Sequence, residues 1–109
     1  MDYDIIKDTT FNDLPVDQRL AAAKEMLQHS ANSFREPMTY NGYADVDIHY
    51  VSCQQDQIVP TAMHAAMLGP VRKLTERKVK VYDFDSGHCP NVSRPDDLAV
   101  LFKEIVEGK

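Results

Sequence analysis

A chain of 109 residues is long enough for one small domain with a single core. With 43% hydrophobic and 27% charged residues it has the composition of a soluble globular protein, and its net charge of −5 argues against a general nucleic-acid binder, which needs a basic face. It has no apolar run long enough to cross a membrane, and the acidic start Met1-Asp2-Tyr3-Asp4 lacks the apolar stretch of a signal peptide, so a cytoplasmic location with no membrane partner is expected.

Residues 1–14 are polar and mixed. Asp13-Leu14-Pro15 reads as a helix start, with Asp13 or Leu14 near the cap and Pro15 in the first turn. Leu20, Ala23, Met26 and Leu27 recur at helical spacing and predict an amphipathic helix from Val16 to about Asn32. From Phe34 to Asp45 come Pro37, Asn41-Gly42 and two tyrosines, the pattern of a loop or irregular arm. Asp47 to Cys53 is β-branched and aromatic and predicts a strand, closed by the polar turn Gln54 to Gln57. A helix is expected from Thr61 or Ala62, with Ala62, Met63, Ala66 and Met67 as its buried stripe. Gly69-Pro70 is expected to interrupt it, because proline lacks the amide donor and crowds the preceding turn. Lys78 to Phe84 alternates and predicts a second strand. Ser93 to Asp97 opens a last helix with acids in its first turn; Leu98, Leu101, Phe102, Ile105 and Val106 form its apolar face and Gly108 its stop. Strands alternating with helices imply a parallel sheet. Two strands alone leave open edges, so a homo-oligomer or a complementing chain is expected.

The chemistry-bearing residues gather after the two strands. Asp56 follows the first and His88, in Asp83-Phe84-Asp85-Ser86-Gly87-His88-Cys89-Pro90, follows the second. In parallel sheets functional groups collect beyond the carboxyl ends of the strands, and neighbouring strands would bring these two loops together. A carboxylate beside a histidine fixes its tautomer and stabilises its protonated form. His88 is therefore the candidate general base and Asp56 its orienter. A plainer reading makes Asp56 a turn residue bonding its own backbone and His88 an ordinary loop histidine. Asp85 is a weaker candidate acid. Cys53 and Cys89 lie apart, without the spacing of a metal or redox motif; two free thiols are the default, and a disulfide is left open. Cys89, beside His88 in the chain, is poorly placed for activation by that imidazole. His49 and His64, within a strand and a helix, read as surface or satisfied residues. Arg72, Lys73, Arg77, Lys78 and Lys80 read as a solvated basic face. No cofactor or metal is expected.

Two stretches carry a family resemblance: Tyr50-Val51-Ser52-Cys53-Gln54-Gln55-Asp56-Gln57-Ile58-Val59-Pro60 and Asp85-Ser86-Gly87-His88-Cys89-Pro90. They resemble the acid loop and the histidine turn that close the α/β-hydrolase fold, about 30 residues apart with a helix and a strand between. The resemblance implies that Asp56 and His88 are the acid and base of a triad. Phe11 to Pro15 and His29-Ser30 to Tyr40 resemble the lid segment of small esterase-like members, the group of the hydroxynitrile lyases and methyl-ester esterases. It implies residues 1–45 as a lid-like helical segment and 46–109 as the C-terminal hydrolase portion, a partial α/β fold. The family's G-x-S-x-G nucleophile elbow is not in this sequence; Ser30, Ser33, Ser52, Ser86 and Ser93 all lack its flanking glycines. Three functions are then expected to compete. One is acid/base chemistry by His88 and Asp56 on a small apolar ester or carbonyl compound: elimination, isomerisation or cyclisation. Another is a serine esterase or lyase whose nucleophile lies on a further portion. The last is a binding or scaffold module without catalysis.

Overall fold

A computed structural model describes residues 1–108. The chain opens with helix α1, Tyr3–Thr9, which the polar composition of this stretch had concealed. Its signals are local. Asp2 caps it by accepting the amides of Asp4 and Ile5, and Lys7 pairs with Asp4 at 3.0 Å. Helix α2, Val16–Lys24, lies against α1. It is shorter than the spacing predicts. Beyond Lys24 the apolar stripe has nothing to cover: Leu27 is 87% exposed, and Ser30 starts a separate turn by accepting the Asn32 amide. That turn leads into α3, Asn32–Arg35. Pro15, rather than Asp13 or Leu14, stands at the cap of α2, which frees Asp13 for a distant partner described below. Residues 36–47 are irregular apart from one 3-10 turn, Gly42–Ala44.

Strand β1, Ile48–Cys53, runs parallel to β2, Val79–Phe84, in register from Ile48 beside Val79 to Cys53 beside Phe84. Helix α4, Thr61–Leu74, supplies the crossover that a parallel pair requires. It runs straight through Gly69-Pro70, so the expected interruption does not occur. Its buried residues are His64 and Leu68, while Met63 and Met67 are half exposed, so the inward face is turned by one residue from the predicted stripe. The polar His64 turns inward because a hydroxyl and a carboxylate wait there. After β2 come α5, Pro90–Ser93, and α6, Pro95–Glu107. Gly108 ends α6 in the left-handed conformation, φ 72°, which only glycine adopts cheaply. Of the face predicted for α6, Leu98 is buried and Leu101 and Ile105 are half-buried, whereas Phe102 and Val106 point to solvent.

The result is a small mixed α/β domain: a two-stranded parallel sheet flanked by helices. Its apolar core is thin, consisting of Phe11, Ala23, Cys53, Leu68 and Leu98. Among the described residues no helix is long and apolar enough to cross a membrane.

Candidate active site

The parallel ladder does not stop where the strands do. The Gln54 amide donates to Phe84 O and the Gln55 amide to Ser86 O, each at 2.9 Å, so the pairing continues into both loops. Side chains reinforce it: Gln54 Nε2 donates to Asp83 at 3.1 Å, and Gln55 Nε2 donates to Asp85. Two loops tied at this register deliver residues 56 and 88 to the same point.

There Asp56 and His88 meet. His88 Nδ1 lies 2.9 Å from Asp56 Oδ2, and Asp56 is buried while His88 is partly open to solvent. The two carboxylate oxygens have separate duties. Oδ1 accepts the amides of Ile58 at 2.8 Å and Val59 at 2.9 Å, the backbone turn that an aspartate after a strand commonly makes. Oδ2 is left for the imidazole. Asp56 therefore makes the turn contact and the histidine contact at once, one through each oxygen. Burial opposes its charge, but the Val59 amide, His88 and the Ile58 amide together outweigh burial and hold the carboxyl below its ordinary value. An ionised carboxylate on Nδ1 places the ring proton there and leaves Nε2 as the free basic nitrogen.

The N-terminal loop between α1 and α2 braces this pair from behind. Asn12 Nδ2 donates to Gln55 O at 2.9 Å, on the acid loop. Asp13 Oδ2 accepts the Gly87 amide at 2.8 Å, on the histidine loop. Arg19 on α2 holds the brace itself, donating to Asn12 O and Leu14 O at 2.6 and 2.8 Å and pairing with Asp8 at 3.5 Å. The approach is so close that a Cβ on Gly87 would lie 2.7 Å from Asp13 Oδ1 and nearer still to Asn12 Oδ1. Any larger residue before His88 would have to push the Asn12 and Asp13 side chains aside.

The remaining candidates fall away from the pair. Asp85 is exposed and engaged with Gln55 and, at 3.6 Å, with Arg94. Both cysteines are free thiols. Burial, then the charges of Asp13 and Asp56, push the Cys89 thiol up, which keeps it protonated and poorly nucleophilic. His29 bonds Ser33 on the surface at 2.6 Å, and His49 bonds the Tyr82 hydroxyl across the sheet at 2.8 Å. Ser52 and Ser86 are buried, and Ser86 spends its hydroxyl on Gly87 O. Among the described residues no cluster of ligands could hold a metal ion.

Sequence reasoning missed one member of the site. His64 is buried, with Nε2 3.5 Å from Asp56 Oδ2 and Nδ1 2.7 Å from the Tyr50 hydroxyl. The usable signal was its place in the first turn of a helix that begins five residues after Asp56, since the His64 amide bonds Pro60 O. Tyr50 also lines an apolar hollow of about 400 Å3, with Tyr43, Ile48, Met67, Leu68, Pro70, Val71 and Leu74.

No protein-family model matches the chain. Over 108 residues it is 34% identical to "Probable hydrolase R7" of Phoma sp. (strain ATCC 20986 / MF5453). That similarity covers 94% of this chain and 44% of the relative, so the chain spans less than half the length of the curated protein it matches. It is thus similar to a protein described as a hydrolase, and a buried aspartate beside one buried and one partly open histidine suits His/Asp-based chemistry.

Proposed function

We propose that this chain is an α/β-hydrolase-type unit in which His88, oriented by Asp56, moves protons on a small apolar ester or carbonyl compound. The observation that carries this is the 2.9 Å contact between a buried carboxylate and a partly open imidazole, beyond the carboxyl ends of two adjacent parallel strands. The similarity to a probable hydrolase supports the same reading. His88 Nε2 takes a proton from the substrate or from water and returns it later in the cycle, while Asp56 stabilises the imidazolium formed between. With no serine elbow in these residues, elimination, isomerisation or cyclisation fits them better than acyl transfer through a covalent intermediate. Residues 1–45 act as the lid-like segment and 46–109 as the portion that carries acid and base. The loop of Asn12 and Asp13 joins the two. The test is turnover of a panel of small aryl esters and α-acidic ketones by the wild type and by His88→Ala. A loss of more than about 100-fold in the variant, with its circular dichroism unchanged, is the expected result. Equal turnover by both would overturn the reading.

A second reading is favoured by the surface. The chain exposes 8019 Å2, against about 6,100 Å2 for a compact monomer of its mass. The excess is larger than one partner's share of a standard interface, about 800 Å2. The edge of β1 away from β2 is suited to a further strand, because Ile48–Cys53 carries no Asp, Glu, Lys or Arg, whereas β2 bears Lys80 and Asp83. On this reading a further hydrolase portion, supplying the nucleophile, or a second copy covers that face. Native mass spectrometry distinguishes them: a discrete homo-oligomer supports a self-sufficient protein, and a monomer that binds a hydrophobic dye supports a missing complement.

A further inference from the structure

We propose that His64 is a positioning residue for the Asp56–His88 pair: a second, neutral imidazole that donates Nε2–H to Asp56 Oδ2 and is locked in that tautomer by Tyr50. The inference rests on the reading of Asp56 as the orienter of His88.

Three observations support it. Asp56 Oδ2 stands between two imidazoles, His88 Nδ1 at 2.9 Å and His64 Nε2 at 3.5 Å. His64 Nε2 is buried and has no hydrogen-bond partner of its own, so Asp56 is the acceptor within reach. The other ring nitrogen, Nδ1, lies 2.7 Å from the Tyr50 hydroxyl. A neutral imidazole has one N–H and one lone pair. A lone pair on Nε2 would face the Asp56 carboxylate and be repelled, so the proton belongs on Nε2. Nδ1 is then an acceptor, and Tyr50 is the donor it needs. Burial of Tyr50, then the nearby Cys53 and Asp56, push its hydroxyl up and keep that proton in place. The charged residues that line the same hollow as His64 are Arg72 on α4 and Asp83 on β2, one of each sign.

At 3.5 Å the contact is longer than a good hydrogen bond. Such contacts at catalytic sites often tighten when the site is engaged. The arrangement gives the carboxylate a donor at every position: two amides on Oδ1 and two imidazoles on Oδ2. Its rotation is then fixed from both sides, and it aims at His88 before any substrate arrives.

The test is nitrogen-15 NMR of the histidine side chains in the full chain at neutral pH, which reads the tautomer of each ring directly. His64 is expected as the neutral Nε2–H tautomer. An Nδ1–H tautomer or a doubly protonated ring at that position would overturn the proposal. Tyr50→Phe, which preserves shape, is expected to convert His64 to a mixture of tautomers; an unchanged spectrum would count against the lock. His64→Gln offers an amide N–H toward Asp56, and His64→Leu offers none. The low-field Nδ1 proton of His88 is expected to persist in the glutamine variant and to shift or exchange away in the leucine variant. Identical behaviour of the two would sink the positioning role. If the leucine variant does not fold, the wild-type tautomer and Tyr50→Phe still decide the matter. None of these readouts needs a substrate, so loss of the proposed reaction and loss of this inference show up in different experiments.

Discussion

Asp56 shows how one residue satisfies two demands through its two oxygens. Replacing it by asparagine keeps Oδ1 on the Ile58 and Val59 amides but puts an amide donor or an uncharged oxygen opposite His88 Nδ1. The ring then loses its tautomer control. On any substrate whose turnover depends on His88, Asp56→Asn is expected to lower kcat by roughly 10³–10⁴-fold with little change in KM. The same carboxyl links the site to acid stability. Its folded-state pKa lies below the ordinary value of 3.8, so its contribution is present above that value and is lost as pH falls through the lowered one. Urea midpoints measured from neutral to acid pH should therefore show the advantage of wild type over Asp56→Asn shrinking below about pH 4. A gap that stays constant to the lowest pH would mean that Asp56 is not ionised in the fold. That His88 and Asp56 lie side by side was legible in the sequence, because each follows a strand at its carboxyl end and the two strands are neighbours. His64 was not, because a histidine on a helix has a meaning only when its neighbours in space are known.

At the scale of elements, the helix α4 is the instructive case. Its existence and its start follow from the pattern after Pro60, but its orientation does not. Four small or apolar residues, Ala62, Met63, Ala66 and Met67, suggest one face, and the structure buries His64 and Leu68 instead. The polar contacts of His64 with Tyr50 and Asp56 outweigh the modest apolar gain of the other face. Pro70 stays inside α4 at the cost of one backbone bond, so Pro70→Ala is expected to raise stability by up to about 3 kcal/mol, read as a higher urea midpoint at unchanged slope. The loop that braces the site gives an opposite case. Gly87→Ala forces a methyl against Asn12 and Asp13 and is expected to cost about 1–3 kcal/mol. It should also weaken turnover, since His88 is the next residue. Thermal denaturation beside the activity assay checks both.

The whole molecule is looser than its length requires. Its radius of gyration is 15.7 Å, where about 13 Å is usual for such a chain, and its large apolar side chains are mostly exposed or half-buried. Tyr43, Met67 and Leu74 lie open around the hollow that β1 and α4 line. A chain of this kind gains stability from whatever covers that face. Its melting temperature is expected to rise with protein concentration if the cover is a second copy. A melting temperature independent of concentration would count against a second copy as the cover.

What the sequence determined by itself is the local and the periodic: two strands, the helix between them, the last helix with its glycine stop, and the acid and histidine at the strand ends. These follow from side-chain alternation, capping and turn chemistry, which act over a few residues. The tertiary structure alone decided the rest. Asp13, read as a helix cap, spends its carboxylate on Gly87, 74 residues away. Arg19, for which no local pattern indicates a partner, fastens the loop that braces both catalytic candidates. His64 joins them from the far side of Asp56. Each of these depends on polar groups finding partners once water is excluded, and no short-range pattern records which partner will be there.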